Sequence, residues 1–512
     1  MPRRDRRRVV AATPSTRLPS LTSDSVRARY AEVSYPGGAF ARAHPARHAA
    51  VAGLFGLTTA PVRTARILEL GCAQGYNLLP LAAHLPQARF VGVDFSGHEI
   101  ARGRDLASAA GLTSIEFVCA DLRTFAPAAG SFDYVIAHGV LSWVPDDVKT
   151  ALFALCARAL APTGIAYISY NTYPGWKQRE ALRELMLMRT GSATTAAERL
   201  ASARQTLETV EKMLAGRPES HAVLTREIVR NMQQKAPGYF YHDDLDGVND
   251  PCYFLQFAAW AAEHGLAYLG EAEWETMFAE LLPPSAQAAL AGLAGDRLAL
   301  EQHLDFLRNR TFRCSLLTHA ARPLRPDPDP AALRGCCFGS HLRPPVGVPP
   351  LDAATPVRFG AGAPLSFETK DPLIKAVFTT LAAAWPQRVA FADLLTGVRT
   401  LLTGANVGLS ANLEHDLLAR LLDAGGRKLV DFLQDSSLAC SHGVPAKPKA
   451  HALARLMAAQ NLPIVNPWQE TVALDARQRA LLSTLDGVDK TFSSEDRSHL
   501  ATFAAGGLLA PG

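Results

Sequence analysis

The chain has 512 residues, 48% of them hydrophobic and 20% charged, which is ordinary globular composition and room for two to four domains. A net charge of +4 is too small at this length to point to nucleic acid, and no apolar run is long enough to span a bilayer. Eight scattered cysteines form no C-x-x-C pair and no Cys/His metal spacing, so neither a disulfide framework nor a metal site is indicated. Reduced, buried thiols in a cytoplasmic protein are expected.

Five arginines crowd the first eight residues with no apolar segment behind them, so residues 1–25 read as a disordered basic start rather than a secretory signal. From Arg66 short β-branched or aromatic runs alternate with helical patterns. The runs are RILEL, RFVGVDF, SIEFVCAD, FDYVIAHGV and GIAYISYN, each bounded by Gly, Pro, Asp or Ser. NLLPLAAHL, HEIARGRDLASAAG and DDVKTALFALCARAL lie between them with apolar residues at helical spacing. Such alternation predicts right-handed β-α-β units and an α/β, Rossmann-like core over 61–176, with ligands at the carboxyl ends of the strands.

From Lys177 to about Gly265 the pattern is mostly helical. GLAYLGEAE and TFRCSLLTH then offer two more strands, expected either to complete the sheet or to belong to a separate domain. That block, 177–320, is followed by a proline-rich stretch, 321–363, read as a linker. Residues 364–512 read as a mainly helical C-terminal domain that ends in helix, short hairpin, helix.

The turn after the first strand carries chemistry. A dinucleotide fingerprint needs G-x-G-x-x-G, but counting from Gly71 the third position is Ala73 and the sixth is Tyr76. Glu69-x-Gly71-x-Ala73-x-Gly75 suits a nucleoside without a pyrophosphate. The glycines let backbone approach the ligand, the following helix offers N–H groups to a carboxylate, and Glu69 faces a cationic amine or sulfonium. S-adenosylmethionine carries all of these groups. Asp94 ends the second strand, 19 residues after Gly75, where it can accept both ribose hydroxyls. Asp121 ends the third, where it can accept an adenine amino group, with Leu122 packing on the ring. One such acid alone is commonly a cap or turn former, but three at three consecutive strand ends point to a cofactor. Ala73 replaces a glycine, a change that is tolerated at negative φ.

ELGCAQGYNL resembles the first motif of class I (Rossmann-like) S-adenosylmethionine-dependent methyltransferases. YAEVSYPGGAF, NTYPGW, HDDLDGVNDPCYFLQFAAWAAEHGLAYLGEAE and EQHLDFLRNRTFRCSLLTH resemble members with a methyltransferase regulatory domain. PLIKAVF and LARLMAAQNLPIVNPWQETVALD resemble the tail of bacterial, rickettsial-type protein lysine methyltransferases. The resemblance covers most of residues 30–490 and implies that residues 26–60 form a lid; a plain N-terminal helix on the sheet is the other reading. It implies a cofactor set of Tyr30, Tyr35, Glu69, Gly71, Cys72, Ala73, Gly75, Asn77, Asp94, Phe95, Asp121, Leu122, His138 and Gly139. In the hairpin IVNPWQETV, Pro467-Trp468 stand where the resemblance implies basic residues.

On the acceptor side, AHGVLSWVP follows the fourth strand and SYNTYPGW the fifth, which makes Asn171, Tyr173, Trp143 and Trp176 the catalytic candidates. Packing under the helical block is an equal reading for both tryptophans. His138 is equally a structural histidine. His242, Asp243 and Asp244 lack the spacing of a metal site and read as a helix N-cap. The three arginines of FLRNRTFR could pair with an acidic substrate, but read first as buried structural ion pairs or a solvated strand edge. The leading function is methyl transfer to protein lysine amines. The alternatives are a small-molecule methyltransferase and a non-catalytic S-adenosylmethionine-binding regulator. The expected partner is a protein or small-molecule substrate, with a homodimer allowed, and neither nucleic acid nor an inserted membrane.

Overall fold

A computed structural model describes residue 33 and residues 37–511, except 192, 194, 294, 346, 361, 363 and 435–439. Tyr30 and Tyr35 of the expected lid lie outside the described residues. Two compact units emerge, Gly37–Arg179 with Asp250–Gly512, and Glu180–Asn249 with the segment Met1–Pro36.

The larger unit is built on a mixed sheet of β1 (Arg66–Leu70), β2 (Arg89–Asp94), β3 (Ile115–Cys119), β4 (Phe132–Ala137), β5 (Leu160–Asn171), β6 (Leu266–Glu271) and β7 (Phe312–His319). Their order is β3-β2-β1-β4-β5-β7-β6. The first five strands are parallel, and β7 runs antiparallel between β5 and β6. Both late strands that the sequence offered therefore pair into this one sheet. Because β1 lies between β2 and β4, the chain order reverses there, and a crevice opens beyond the carboxyl end of β1.

The sheet is buried on both faces, so its strands read as near-continuous apolar runs. Alternate residues of β1 feed opposite clusters. Ile67 joins the one holding Leu78, Leu81 and Phe90, whereas Leu68 and Leu70 join Val135, Leu152 and Ile168. Flanking helices include α1 (Pro45–Leu54), α2 (Leu78–His84), α3 (Gly97–Ala109) and α4 (Asp146–Ala159). Ser96 caps α3 by accepting from Glu99 N at 3.4 Å.

The segment 321–363 is no linker. Within it β8 (Cys337–Gly339) is the middle strand of a small antiparallel sheet with β11 (Val389–Ala390) and β12 (Asp431–Leu433), and β9 (Val357–Phe359) pairs with β10 (Phe367–Thr369). Leu333, Cys336, Phe338, Leu342 and Phe359 are buried. Its prolines break helices but leave edges and short strands free to pack, which composition alone hides. The C-terminal helices, among them Pro372–Ala384, Phe391–Gly404 and Leu413–Gly426, share the cluster that covers one sheet face.

The smaller unit has its own core of Leu182, Met186, Ala203, Leu207, Val229, Met232, Phe240 and Tyr241. Arg204 ties it by donating to the carbonyls of Gln233 and Lys235 at 2.8 and 2.9 Å. His242, Asp243 and Asp244 do not form an N-cap, because helix Pro237–Leu245 starts five residues before His242. His242 Nε2 instead meets the Val33 carbonyl at 2.7 Å, and Lys235 pairs with both acids at 2.7 and 3.1 Å. Among the described residues no cluster is placed to hold a metal, and no helix is long and apolar enough to cross a membrane. Cys119 is exposed, whereas the other seven cysteines are buried.

Candidate functional site

The site begins where β1 ends. Gly71 N and Cys72 N donate to Val93 O at 2.8 and 3.1 Å, and Gly75 N donates to Cys72 O at 2.8 Å. Three alternate residues wind the turn with positive φ: Gly71 at 73°, Ala73 at 46° and Gly75 at 77°. A Cβ on Gly71 would sit 2.5 Å from Val140 Cγ2, and one on Gly75 would sit 2.4 Å from Phe117 Cζ. Both glycines are therefore demanded by conformation and by space. Ala73 takes the left-handed conformation with a Cβ, against the negative φ expected from the sequence. Asp94 explains how: its Oδ2 accepts from Ala73 N at 2.9 Å and its Oδ1 from Ser96 N at 2.9 Å.

The first two N–H groups of α2 are already taken. That helix has only seven residues, and Leu78 N and Leu79 N already donate to Gly75 O at 2.9 and 2.8 Å. The electrostatic feature that remains is Glu69, only 3% exposed. Its Oε1 accepts from Asn77 Nδ2 at 2.8 Å, and its Oε2 is buried with no hydrogen-bond partner among the described residues. Burial pushes its carboxyl up to about 8; Asp94 adds to this and the Asn77 bond opposes it. A cationic donor against Oε2 would satisfy that oxygen and restore the charge, and an amino-acid ammonium does both. Burial also raises the Asp94 carboxyl, against the backbone N–H bonds it accepts from Ser96, Ala73 and Phe95. Burial raises the Cys72 thiol as well, leaving a neutral wall of the turn.

Around this turn, Phe95 is half-buried at the end of β2, and Leu122 is half-buried against the second sheet-face cluster. Asp121 is engaged by its neighbour: Arg123 Nε donates to Oδ1 at 3.0 Å and Arg123 Nη2 to Oδ2 at 2.6 Å. His138 stacks on Phe40 at 3.8 Å, and its Nδ1 meets Tyr167 Oη at 2.8 Å. Burial, helped by Arg42, lowers its pKa to about 3, so the ring is neutral. Gly139, exposed at φ 67°, donates to Ser169 Oγ at 2.8 Å and has open space where a Cβ would stand.

On the acceptor side, Asn171 is 5% exposed and its N–H donates to Ser142 Oγ at 2.9 Å. Ser142 belongs to the short turn Leu141–Trp143, so the ends of β4 and β5 are tied together beside a half-buried Trp143. Tyr173 is half-buried, 5.2 Å from the Tyr253 ring, and Lys177 Nζ lies 3.7 Å from its centroid. Trp176 is 3% exposed, with the Arg179 guanidinium 4.5 Å from its ring. The arginines of FLRNRTFR are structural, as the sequence suggested. Arg313 is buried and meets Glu271 at 2.6 Å, Glu301 at 3.0 Å and Asp305 at 2.9 Å.

Comparisons with known proteins speak to the family and the fold. Residues 67–164 match a family model described as "Methyltransferase domain", and residues 236–319 match "Predicted methyltransferase regulatory domain". An uncharacterized protein of Rickettsia prowazekii, RP028, is 33% identical over 228 residues, which is 44% of this chain and 91% of that protein. The chain belongs to the class I S-adenosylmethionine-dependent methyltransferases. A second R. prowazekii protein, RP789, is 38% identical over 290 residues, covering 57% of this chain and 52% of that one, so the match spans about half of that relative's length. PKMT2 from Rickettsia typhi, solved also in complex with AdoHcy, shares the fold over 93% of this chain at TM-score 0.82 and 24% identity.

Sequence reasoning about this methyltransferase missed three residues that touch the site or hold it. Phe40, Ser142 and Gln469 sit in segments remote from the strand-end acids. Their segments YAEVSYPGGAF, AHGVLSWVP and IVNPWQETV were all marked in the sequence, but nothing in them singled out these three side chains.

Proposed function

We propose that this methyltransferase transfers the methyl group of S-adenosylmethionine to lysine amines of a protein. The supporting observation on the donor side is the buried, unpartnered Glu69 Oε2 beside the Gly71–Gly75 turn. Glu69 would hold the donor's ammonium, Asp94 its ribose hydroxyls, and Phe95 and Leu122 its base. When bound, the donor supplies a methyl on a sulfonium, a good leaving group. The protein's part is alignment and exclusion of water.

On the acceptor side, the Tyr173 face already carries a primary ammonium, that of Lys177, 3.7 Å from its centroid. A substrate lysine on such a face, with Asn171 and Trp143 around it, would be oriented by the ring. Its free pKa near 10.4 would fall on desolvation, which frees the lone pair. The chain-long fold shared with PKMT2 supports the same reading. Methyl-labelled S-adenosylmethionine with the protein and a lysate, followed by acid hydrolysis, should release labelled methyl-lysine. Label confined to small molecules, or no transfer despite measurable donor binding, would overturn it.

A further inference from the structure

Asn77 presents a side-chain amide to Glu69, and an amide has two ends. With its NH2 toward Glu69 it is a donor to a carboxylate; turned over, it is a repelling acceptor. Asn77 does not decide this itself. Its Oδ1 accepts from Phe40 N at 3.2 Å and from Gln469 Nε2 at 2.9 Å, and Gln469 Nε2 also donates to Asn77 O at 2.7 Å. Two donors on Oδ1 leave the NH2 end for Glu69 Oε1, at 2.8 Å.

Gln469 lies 392 residues further along the chain and is 1% exposed. The short hairpin that carries it closes through the Val465–Thr471 bridge. Asn466 organises it: its Oδ1 accepts from Trp468 N at 3.1 Å and Glu470 N at 3.0 Å, and its carbonyl accepts from Gln469 N at 3.0 Å. Gln469 takes φ 61° in this hairpin. Glu470 is anchored to Arg388 at 3.3 Å, and Arg388 to Asp431 at 3.0 Å. Trp468 is 2% exposed, with the Arg388 guanidinium 5.2 Å from its ring. The aromatic residue found where basic ones were expected is therefore an internal anchor. Gln469 Oε1 is buried with no hydrogen-bond partner among the described residues, so the polar contacts of this side chain are its two Nε2 bonds to Asn77.

We infer that Gln469 is a positioning residue for the methyl-donor site: through Asn77 the C-terminal hairpin fixes the donor-binding geometry of Glu69. The inference rests on the reading of Glu69 as the acid that takes the donor's ammonium. The tip of the tail domain thus completes the cofactor turn, and a tail displaced from this position would leave Asn77 free to turn.

The test is calorimetric binding of S-adenosylhomocysteine across pH, on the full chain. Gln469→Glu keeps the shape but puts an acceptor against Asn77 Oδ1, so Asn77 turns over and Glu69 loses its donor. The dissociation constant should rise about tenfold or more. The pH midpoint of binding should also move up, because the Asn77 bond that holds the Glu69 pKa down is gone, while Asp94 and the Cys72 thiol, which also face Glu69, are untouched. The added carboxylate of Gln469→Glu can itself raise the midpoint, so the discriminating readout is an upward midpoint shift in the uncharged Gln469→Met, which a merely structural role would not produce. Gln469→Met, of similar volume and without polar atoms, repeats the test should the glutamate variant fail to fold, and should weaken binding in the same direction. Wild-type affinity and midpoint in a folded Gln469 variant, with binding lost in Glu69→Gln, would overturn this inference alone. Wild-type binding by Glu69→Gln would overturn the donor-site reading beneath it.

Discussion

Replacing Glu69 by glutamine isolates the charge at the donor turn. The carboxyl is pushed up to about 8, so about 1% is ionised at pH 6 and about half at pH 8. An ammonium needs the ionised form, so wild-type affinity for S-adenosylhomocysteine should climb a few tens-fold between pH 6 and 8. It should level off above, as the ligand's own amine (about 7.7–8.0) loses its proton. The substituted side chain would keep the Asn77 bond through its amide oxygen and turn an NH2 toward the ammonium. At pH 8 the variant should bind ~10–100-fold more weakly, the worth of a charge-assisted hydrogen bond of about 1.5–3 kcal/mol, and its affinity should not rise between pH 6 and 8. Without ligand the sign reverses. The folded pKa of Glu69 lies above its ordinary 4.5, so its contribution to stability is complete below about 4.5 and is lost as pH rises through about 8. Glu69→Gln should therefore melt like wild type near pH 4.5 and progressively higher than it as pH rises to 9. Calorimetric titration and thermal melting read both effects. A pH-independent wild-type affinity, or equal binding by Glu69→Gln at pH 8, would refute the reasoning.

Arg313→Met should destabilise the protein by about 3–5 kcal/mol in chemical denaturation, because Glu271, Glu301 and Asp305 are left buried without their common cation. Ala73→Gly should relieve the left-handed strain of about 1–2 kcal/mol at φ 46° while loosening the unfolded chain by about 0.5–1 kcal/mol, for a small net gain in melting temperature; Ala73→Val should instead lower it. Asp94→Ala should lose donor binding and also cost about 1–3 kcal/mol, since Ala73 N and Ser96 N lose their acceptor. A melting temperature equal to wild type in that variant would show that the turn does not depend on the carboxylate.

The sequence alone was enough for the five parallel strands and their ligand edge, while the placing of the two late strands in the same sheet came only from the structure. Apolar runs of five or six residues, cut by Gly, Asp and Pro, admit few arrangements once β-α-β handedness is imposed. The acids at strand ends then mark the crevice without any tertiary knowledge. Local chemistry also exposed the turn, because Gly71 and Gly75 leave a pattern that a dinucleotide site would not. Long-range packing decided the rest. Nothing local says that 321–363 folds into strands, since three-residue strands carry too little periodicity to read. Nothing local sets the sign of φ at Ala73 either, which follows from Asp94, 21 residues away. The direction of the Asn77 amide is the clearest case. It depends on Phe40 before the core and Gln469 far beyond it, donors that only the folded chain brings to one oxygen.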